Sequence, residues 1–329
     1  MFKKTLKQLK ILVILIVIII CLPRSIFPHR STQVKKPDLD NYLMLNEEEK
    51  RLAEFKDDEK TMMLKLEQLE VINKSRKKFK AGEVKLDILA SRVANKMCRE
   101  AAENEFLSHW NLRGEKPYHR YAFAGGYDHI AENAFGEWTT GGYAQFPAVI
   151  SEMMKKGHQS FISERAPNDG HKKTIIDKHH NFVGIGFYLS EKQFRYYEEF
   201  IDRYFEFQNI PARLNVNEQG SITFRTDGTN FPHFLMIYRE DFLRSLKPEQ
   251  LNKKGGYDDF SEEEYLKMPA WEIIKYKKGS AYTIPVSFNK EGLYYIQIFA
   301  DKKEITTPSK IDTKGIAIGS GIVIRVSNR

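Results

Sequence analysis

Seven of the nine histidines in this chain fall between His109 and His180, and glutamates at positions 132, 152 and 164 lie among them. Imidazoles titrate near neutral pH, hold divalent cations and carry protons. Nearby carboxylates can orient them or act as bases. The density of histidine therefore points to metal or acid–base chemistry. The spacings that would fix such chemistry are missing. There is no His-Glu-x-x-His, and two cysteines, Cys21 and Cys98, cannot build a structural zinc site. No Gly-x-Ser-x-Gly nucleophile elbow occurs and no glycine-rich phosphate loop follows a strand. Taken singly, His119, His129, His158, His179 and His180 read as structural or surface residues.

The elements that must position these residues are partly legible. From Lys85 to about Glu105 an apolar stripe repeats at three and four residues: Leu86, Leu89, Ala90, Val93, Ala94, Met97, Cys98 and Ala101. This is one face of an amphipathic helix, on which Cys98 reads as a small core side chain. Residues 111 to 130, rich in Gly, Pro, Tyr and His, read as a long loop. Pro147 to Lys156 reads as a helix, and Asn181–Leu189 and Tyr196–Phe207 read as strands. Upstream, residues 30 to 45 read as a polar linker and the charge-dense stretch from Asn46 as a helical stalk, so that 31–63 is expected to be linker and stalk. Beyond Gln208 the texture becomes short strands separated by turns at Gly228, Gly292 and Gly315: Ser221–Thr226, Phe234–Tyr238, Tyr282–Phe288, Leu293–Ala300 and Ile316–Val326. An antiparallel β-sandwich over 208–329 is expected, with a charged surface insertion near Asp258–Glu264.

Charge excludes one class of partner. The net charge is +8. Lys3, Lys4, Lys7, Lys10, Arg24, Arg30, Lys35 and Lys36 supply all of it, because no acidic residue precedes Asp38. The rest of the chain balances to zero, whereas a nucleic-acid binder carries its basic excess on the folded domain. No nucleic acid is expected. The four lysines before the apolar run Ile11–Leu22 form a positive segment ahead of a hydrophobic one. Residues 1–30 therefore read as a signal peptide or signal anchor, with the bulk of the protein outside the cytoplasm and a membrane contact through 1–30.

Five motifs in order carry a resemblance to a known family. Glu70-Val-Ile-Asn73-Lys-Ser-Arg76 followed by Leu86-Asp87 and Leu89-Ala90 opens it. Leu107-Ser108-His109-Trp110-Asn111 and Gly114-x-x-Pro117-x-x-Arg120-Tyr121 follow, then Ile130-Ala131-Glu132-Asn133, with Ala131 in place of the usual Gly. Gly170-His171-Lys-Lys-Thr-Ile175-Ile176 and Phe182-Val183-Gly184-Ile185-Gly186 close it. Residues 64–207 resemble the CAP (SCP-like) superfamily, in its disulfide-free microbial-type branch. The resemblance implies an α+β protein: a CAP-type α-β-α sandwich, here followed by the β-sandwich. It further implies a cleft holding two histidines, His109 and His171, and two acids, Glu132 and Glu152. Glu152 belongs to the helix in which Val149 stands where many members have Trp, and Glu164 is its competitor.

The resemblance implies that His109 and His171 hold zinc or another divalent cation. The leading function is a secreted or membrane-anchored protein binding that cation and a lipid, sterol or cell-surface polymer in the His/Glu cleft. A second is a metal-assisted extracellular hydrolase of peptide or cell-wall material, with Glu132 and Glu152 as its catalytic acids. A third is a structural adhesin with a vestigial tetrad. The ingredients of a site do not establish turnover, and binding is placed ahead of catalysis.

Overall fold

The computed structural model describes residues 36–257 and 263–328. Residues 1–30, with the signal or anchor read there, and most of the charged insertion near Asp258 lie outside the described residues. The described residues belong to one compact unit. Among the described residues no helix is long and apolar enough to cross a membrane.

The segment expected as linker and stalk is part of the folded body. Helix α1 (Lys36–Glu48) leads through a 3₁₀ turn (Ala53–Phe55) into α2 (Glu59–Lys78). Leu39, Tyr42 and Leu43 pack against the main core. Their three- and four-residue spacing is a short apolar stripe that the surrounding charge conceals. The Arg92 guanidinium fastens this segment by donating to the carbonyls of Asn46, Glu49 and Arg51. Asp58 caps α2 by accepting from the Thr61 amide at 2.7 Å.

Next come β1 (Lys85–Leu86), α3 (Ile88–Glu103), α4 (Pro117–Phe123), β2 (His129–Trp138), α5 (Pro147–Ile162), α6 (Gly170–Ile176), β3 (Phe182–Leu189) and β4 (Gln193–Asp202). Asp87 caps α3, and proline occupies the first turn of α4 and α5. The four strands form one sheet in the order β1-β3-β4-β2, so β2 is an edge strand. Helices α2, α5 and α6 cover one face through Met62, Met154, Phe161 and Ile175 against Val183, Ile185, Tyr196 and Phe200. Helices α3 and α4 cover the other through Leu89, Val93, Tyr118 and Tyr121.

Two motif positions gain a physical reason here. A Cβ on Gly184 would lie 2.5 Å from Ala90, and one on Gly186 would lie 2.4 Å from Ala94. The glycines let α3 lie directly on β3. Asn73 and Arg76 are structural as well. Asn73 pairs with both backbone groups of Val84, and Arg76 donates to the carbonyls of Gly82, Ile175, Asp177 and His180.

The remaining elements are β5 (Phe205–Gln208), β6 (Arg213–Asn215), β7 (Gly220–Thr226), β8 (Phe231–Glu240), α7 (Pro248–Leu251), β9 (Glu263–Pro269), α8 (Ala270–Ile273), β10 (Lys277–Lys278), β11 (Ala281–Val286), β12 (Gly292–Asp301), β13 (Ala317–Ile318) and β14 (Ile322–Ser327). They make two sheets, β10-β11-β7-β5 and β6-β14-β12-β8-β9 with β13 on β12, mostly antiparallel. Ile222, Phe224, Ile237, Ile284, Ile296 and Ile324 lie in the core between them. The molecule is thus α+β. Glu263–Glu264, read above as the end of an insertion, begin β9, which pairs with β8. The two lobes share a cluster in which Leu293, Tyr295 and Val323 join Leu89, Tyr118 and Ile130.

Candidate functional site

The site is built around the edge strand β2, whose successive side chains point to opposite faces of the sheet. Glu132 faces the side covered by α4 and lies opposite Glu199 of β4, while Asn133 faces the other and lies opposite Glu198. Each face holds a buried polar cluster.

On the first face, Arg120 of α4 forms an ion pair with Glu132 and lies 3.5 Å from Glu199. Both carboxylates are fully buried. Burial, and then the charge of Glu132, pushes the Glu199 carboxyl well above the usual range, so it keeps its proton. Burial pushes Glu132 up to about 7, against the pull of Arg120. Arg120 also donates to the His109 carbonyl at 2.6 Å, and His109 Nδ1 lies 2.8 Å from Glu132 Oε1. Burial, reinforced by the Arg120 charge, lowers His109 to about 4. His109 is therefore neutral at physiological pH. With Nδ1 engaged by the carboxylate, Nε2 is left as its ligand atom.

On the second face, Glu164 receives the start of α6. Its carboxylate accepts from the His171 amide at 3.0 Å and lies 2.5 Å from His171 Nδ1. Phe161 stacks on the His171 ring at 4.8 Å. Asn133 donates to the His171 carbonyl and to Glu198. Behind it Glu198 takes bonds from Tyr196 and His158, and His158 Nε2 reaches Ser75 Oγ at 2.9 Å.

The structure therefore brings His109, Glu132 and His171 together, with the His109 and His171 ring centroids 6.3 Å apart. It does not bring Glu152 to them. That side chain is 56% exposed on α5 and bonds to Lys155. The helix turns its buried face, Met153, Met154 and Phe161, toward the sheet and carries Glu152 outward. The carboxylate that serves His171 is Glu164, about three turns past the expected position and just beyond the helix end. Four further residues complete the site. Arg120 lay within a quoted motif without a role. Glu198 and Glu199 stand between Tyr196-Tyr197 and Phe200-Ile201 in their strand, flanking apolar residues that signal buried acids. Tyr257 carried no local signal. It arrives from the second lobe, packs its ring at 4.8 Å and a 51° tilt against His109, and accepts from the Glu132 amide at 2.9 Å.

The cleft between the imidazoles has a volume of about 730 Å³, and its lining mixes apolar surface from Leu107, Ile130 and Ala134 with polar groups, among them Asn133, Asn168, Thr174 and Lys254. The donor set fits a divalent cation held by two imidazoles, each turned by a carboxylate. A zinc bound at about 2.1 Å by two imidazole nitrogens sets their ring centroids about 5–6 Å apart, and the observed spacing of 6.3 Å is slightly wider than that range. Among the described residues no group of three or more His, Cys, Asp or Glu side chains converges on a metal position. The protein would thus supply two ligands, leaving the others to water or to a bound molecule.

No family model and no curated protein sequence matches the chain. Among solved structures it is similar to an extracellular protein containing an SCP domain from Bacillus anthracis str. Ames, at 17% identity and a TM-score of 0.31, over 41% of this chain and 39% of that one. It is also similar to an outer surface protein from Borrelia burgdorferi, at 15% identity and a TM-score of 0.32, over 41% of this chain and 89% of that one. The chain spans about two fifths of the Bacillus protein. At these scores the overlap is local, and the fold is read from the strand order and layers above.

Proposed function

We propose that this is an extracellular or membrane-anchored binding protein whose cleft holds a divalent cation between His109 and His171 and uses it to engage a polymeric cell-surface ligand. One observation carries the reading: two imidazoles face one cleft, and each has Nδ1 engaged by a glutamate, which leaves both Nε2 atoms as donors. Asn133, Asn168, Thr174 and Lys254 in the lining give a polar polymer its hydrogen-bonding partners. The extracellular placement rests on the basic and apolar N-terminal segment.

Catalysis is the weaker reading of the same residues. A general base must reach the proton that it removes, and the Glu132 carboxylate is fully buried between His109 and Arg120. It positions His109 and does not face a substrate. When bound, the cation would supply Lewis acidity and a fixed positive charge in the cleft. His109 and His171 would hold it, Glu132 and Glu164 would orient their rings, and Arg120 would keep Glu132 in place.

Cobalt(II) titration of the purified protein tests this reading. The d–d absorption of a low-symmetry site is expected to saturate at one equivalent. Glu164→Gln, which keeps the shape and weakens the His171 acceptor, is expected to lower the affinity about 10- to 100-fold. An unchanged affinity in Glu164→Gln, or sustained cation-dependent hydrolysis that His109→Ala abolishes, would contradict it.

A further inference from the structure

Among the described residues no strand pairs with the outer edge of β2 beside the imidazoles. Thr139 donates its amide to Lys192 across the β2–β4 ladder at 3.0 Å, whereas the Glu132 amide points outward to Tyr257. In an antiparallel pair the backbone groups alternate in direction. Ala134, Gly136 and Trp138 therefore turn their amides and carbonyls away from β4, as Glu132 does. These residues are half-buried or exposed, with Trp138 71% exposed. A groove follows this edge. The His109–His171 cleft includes Ala134, and a second depression of about 540 Å³ continues it past Gly136 to Trp138, Thr139 and Thr140. Leu107 lines both. Asn252 fixes that wall, accepting the Leu107 amide and donating to the Glu105 carbonyl. From Glu132 to Trp138 the strand runs about 20 Å.

We propose that this edge takes up an extended acidic peptide segment of a partner protein as an added strand, with one end between His109 and His171. The proposal rests on the binding reading above and names the chemistry of its ligand. An unpaired strand edge is a template for a further strand, with backbone bonds giving affinity and flanking pockets giving selectivity. Three outward residues each offer one donor and one acceptor, a pattern that a peptide backbone matches at every second residue and a glycan does not. Gly136 keeps the floor low, because only the Arg195 side chain approaches the place of a Cβ there, at 3.1 Å. Charge favours carboxylates on the peptide. Lys192 lines the far end without a carboxylate partner among the described residues, and Lys254 lies over the Trp110 ring at the near end. Exposed Glu105 stands on the wall between them, and at the near end Glu164 is paired with His171.

The test selects binders from a random 12-residue peptide library displayed on phage against the purified protein. The enriched sequence is then synthesised with each backbone nitrogen methylated in turn. Binding is expected to fall about tenfold at every second position and little at the positions between. Amide exchange at Ala134, Gly136 and Trp138 is expected to slow in the complex. Ala134→Pro removes an outward donor that the ladder does not use, and should weaken binding by a similar factor. The peptide scan remains decisive if that variant misfolds. Failure to enrich a peptide, a methylation profile without a two-residue period, or displacement of the peptide by chitohexaose with no protection of the β2 amides would overturn the proposal. Zinc titration of the same samples separates the two readings. Periodic peptide binding without zinc uptake removes the cation and keeps the edge, and zinc uptake without peptide binding does the reverse.

Discussion

The two lobes handle buried polarity in opposite ways. Among the described residues every buried Lys, Arg, Asp and Glu lies at or before Asp202, in the α-β-α lobe, whereas the β lobe buries only Asn230, His233, Gln297 and Ser320 among its polar side chains. The β lobe closes on isoleucines and aromatics. The α-β-α lobe closes on the same apolar residues together with Lys65–Asp57, Arg120–Glu132 and Asp202–His180 pairs. Burying a charge is costly unless it is paired and hydrogen-bonded, so a lobe that does so repeatedly is held to a particular geometry. In the β lobe the apolar core supports structure, and its contribution to the site is the segment ending at Tyr257.

The largest effect expected from breaking this contrast is at Arg120. Arg120→Met leaves Glu132 and Glu199 buried without a counter-charge, and the loss in urea unfolding is expected to be about 3–5 kcal/mol. Glu199 keeps its proton in either protein, whereas Glu132 would then have to keep in the folded variant a proton that the folded parent releases above about pH 7. The destabilisation should therefore grow as pH rises through and above about 7. A loss independent of pH would contradict the burial of the two acids. In the β lobe, Ile296→Ala should cost about 2–5 kcal/mol by opening a cavity. It should leave cobalt affinity unchanged, because no ionised group there orients an imidazole. Equal damage to stability and to cation affinity would erase the distinction between the lobes.

A smaller effect sharpens it. His109 is held at about 4 against an ordinary value of 6.5. The unfolded chain takes up this proton first, so His109's contribution to stability is complete above about pH 6.5 and is lost as pH falls toward 4. Glu132, raised from 4.5 to about 7, acts in the opposite sense, and its contribution is lost as pH rises through that window. Because the two oppose each other, the readout is the imidazole itself. The NMR titration of the His109 ring is expected to have its midpoint near 4, and a midpoint near 6.5 would contradict its burial against Arg120.

Much of the α-β-α lobe was legible because its signals are local. The α3 stripe and the two glycines that admit it to β3 follow from periodicity and from the lack of a side chain, and His109, Glu132 and His171 lie on motifs. The missed features depend on tertiary context. Strand β2 carries His129, Glu132 and Asn133, which do not alternate as a half-buried strand should, because both of its faces are covered by polar clusters. Helix α4 was hidden in a stretch of Gly, Pro, Tyr and His, although Pro117 marks its first turn. Glu152 and Glu164 could not be separated without knowing which way α5 turns, and Tyr257 reaches the cleft from more than 120 positions beyond Glu132.

The central claim is that His109 and His171 hold one cation between them, and a calorimetric zinc titration of the purified protein beside its His109→Ala/His171→Ala variant tests it most directly. Saturable binding of one equivalent in the parent, absent from a variant that unfolds at the same urea concentration, is the predicted result. Identical isotherms for the two proteins would contradict it.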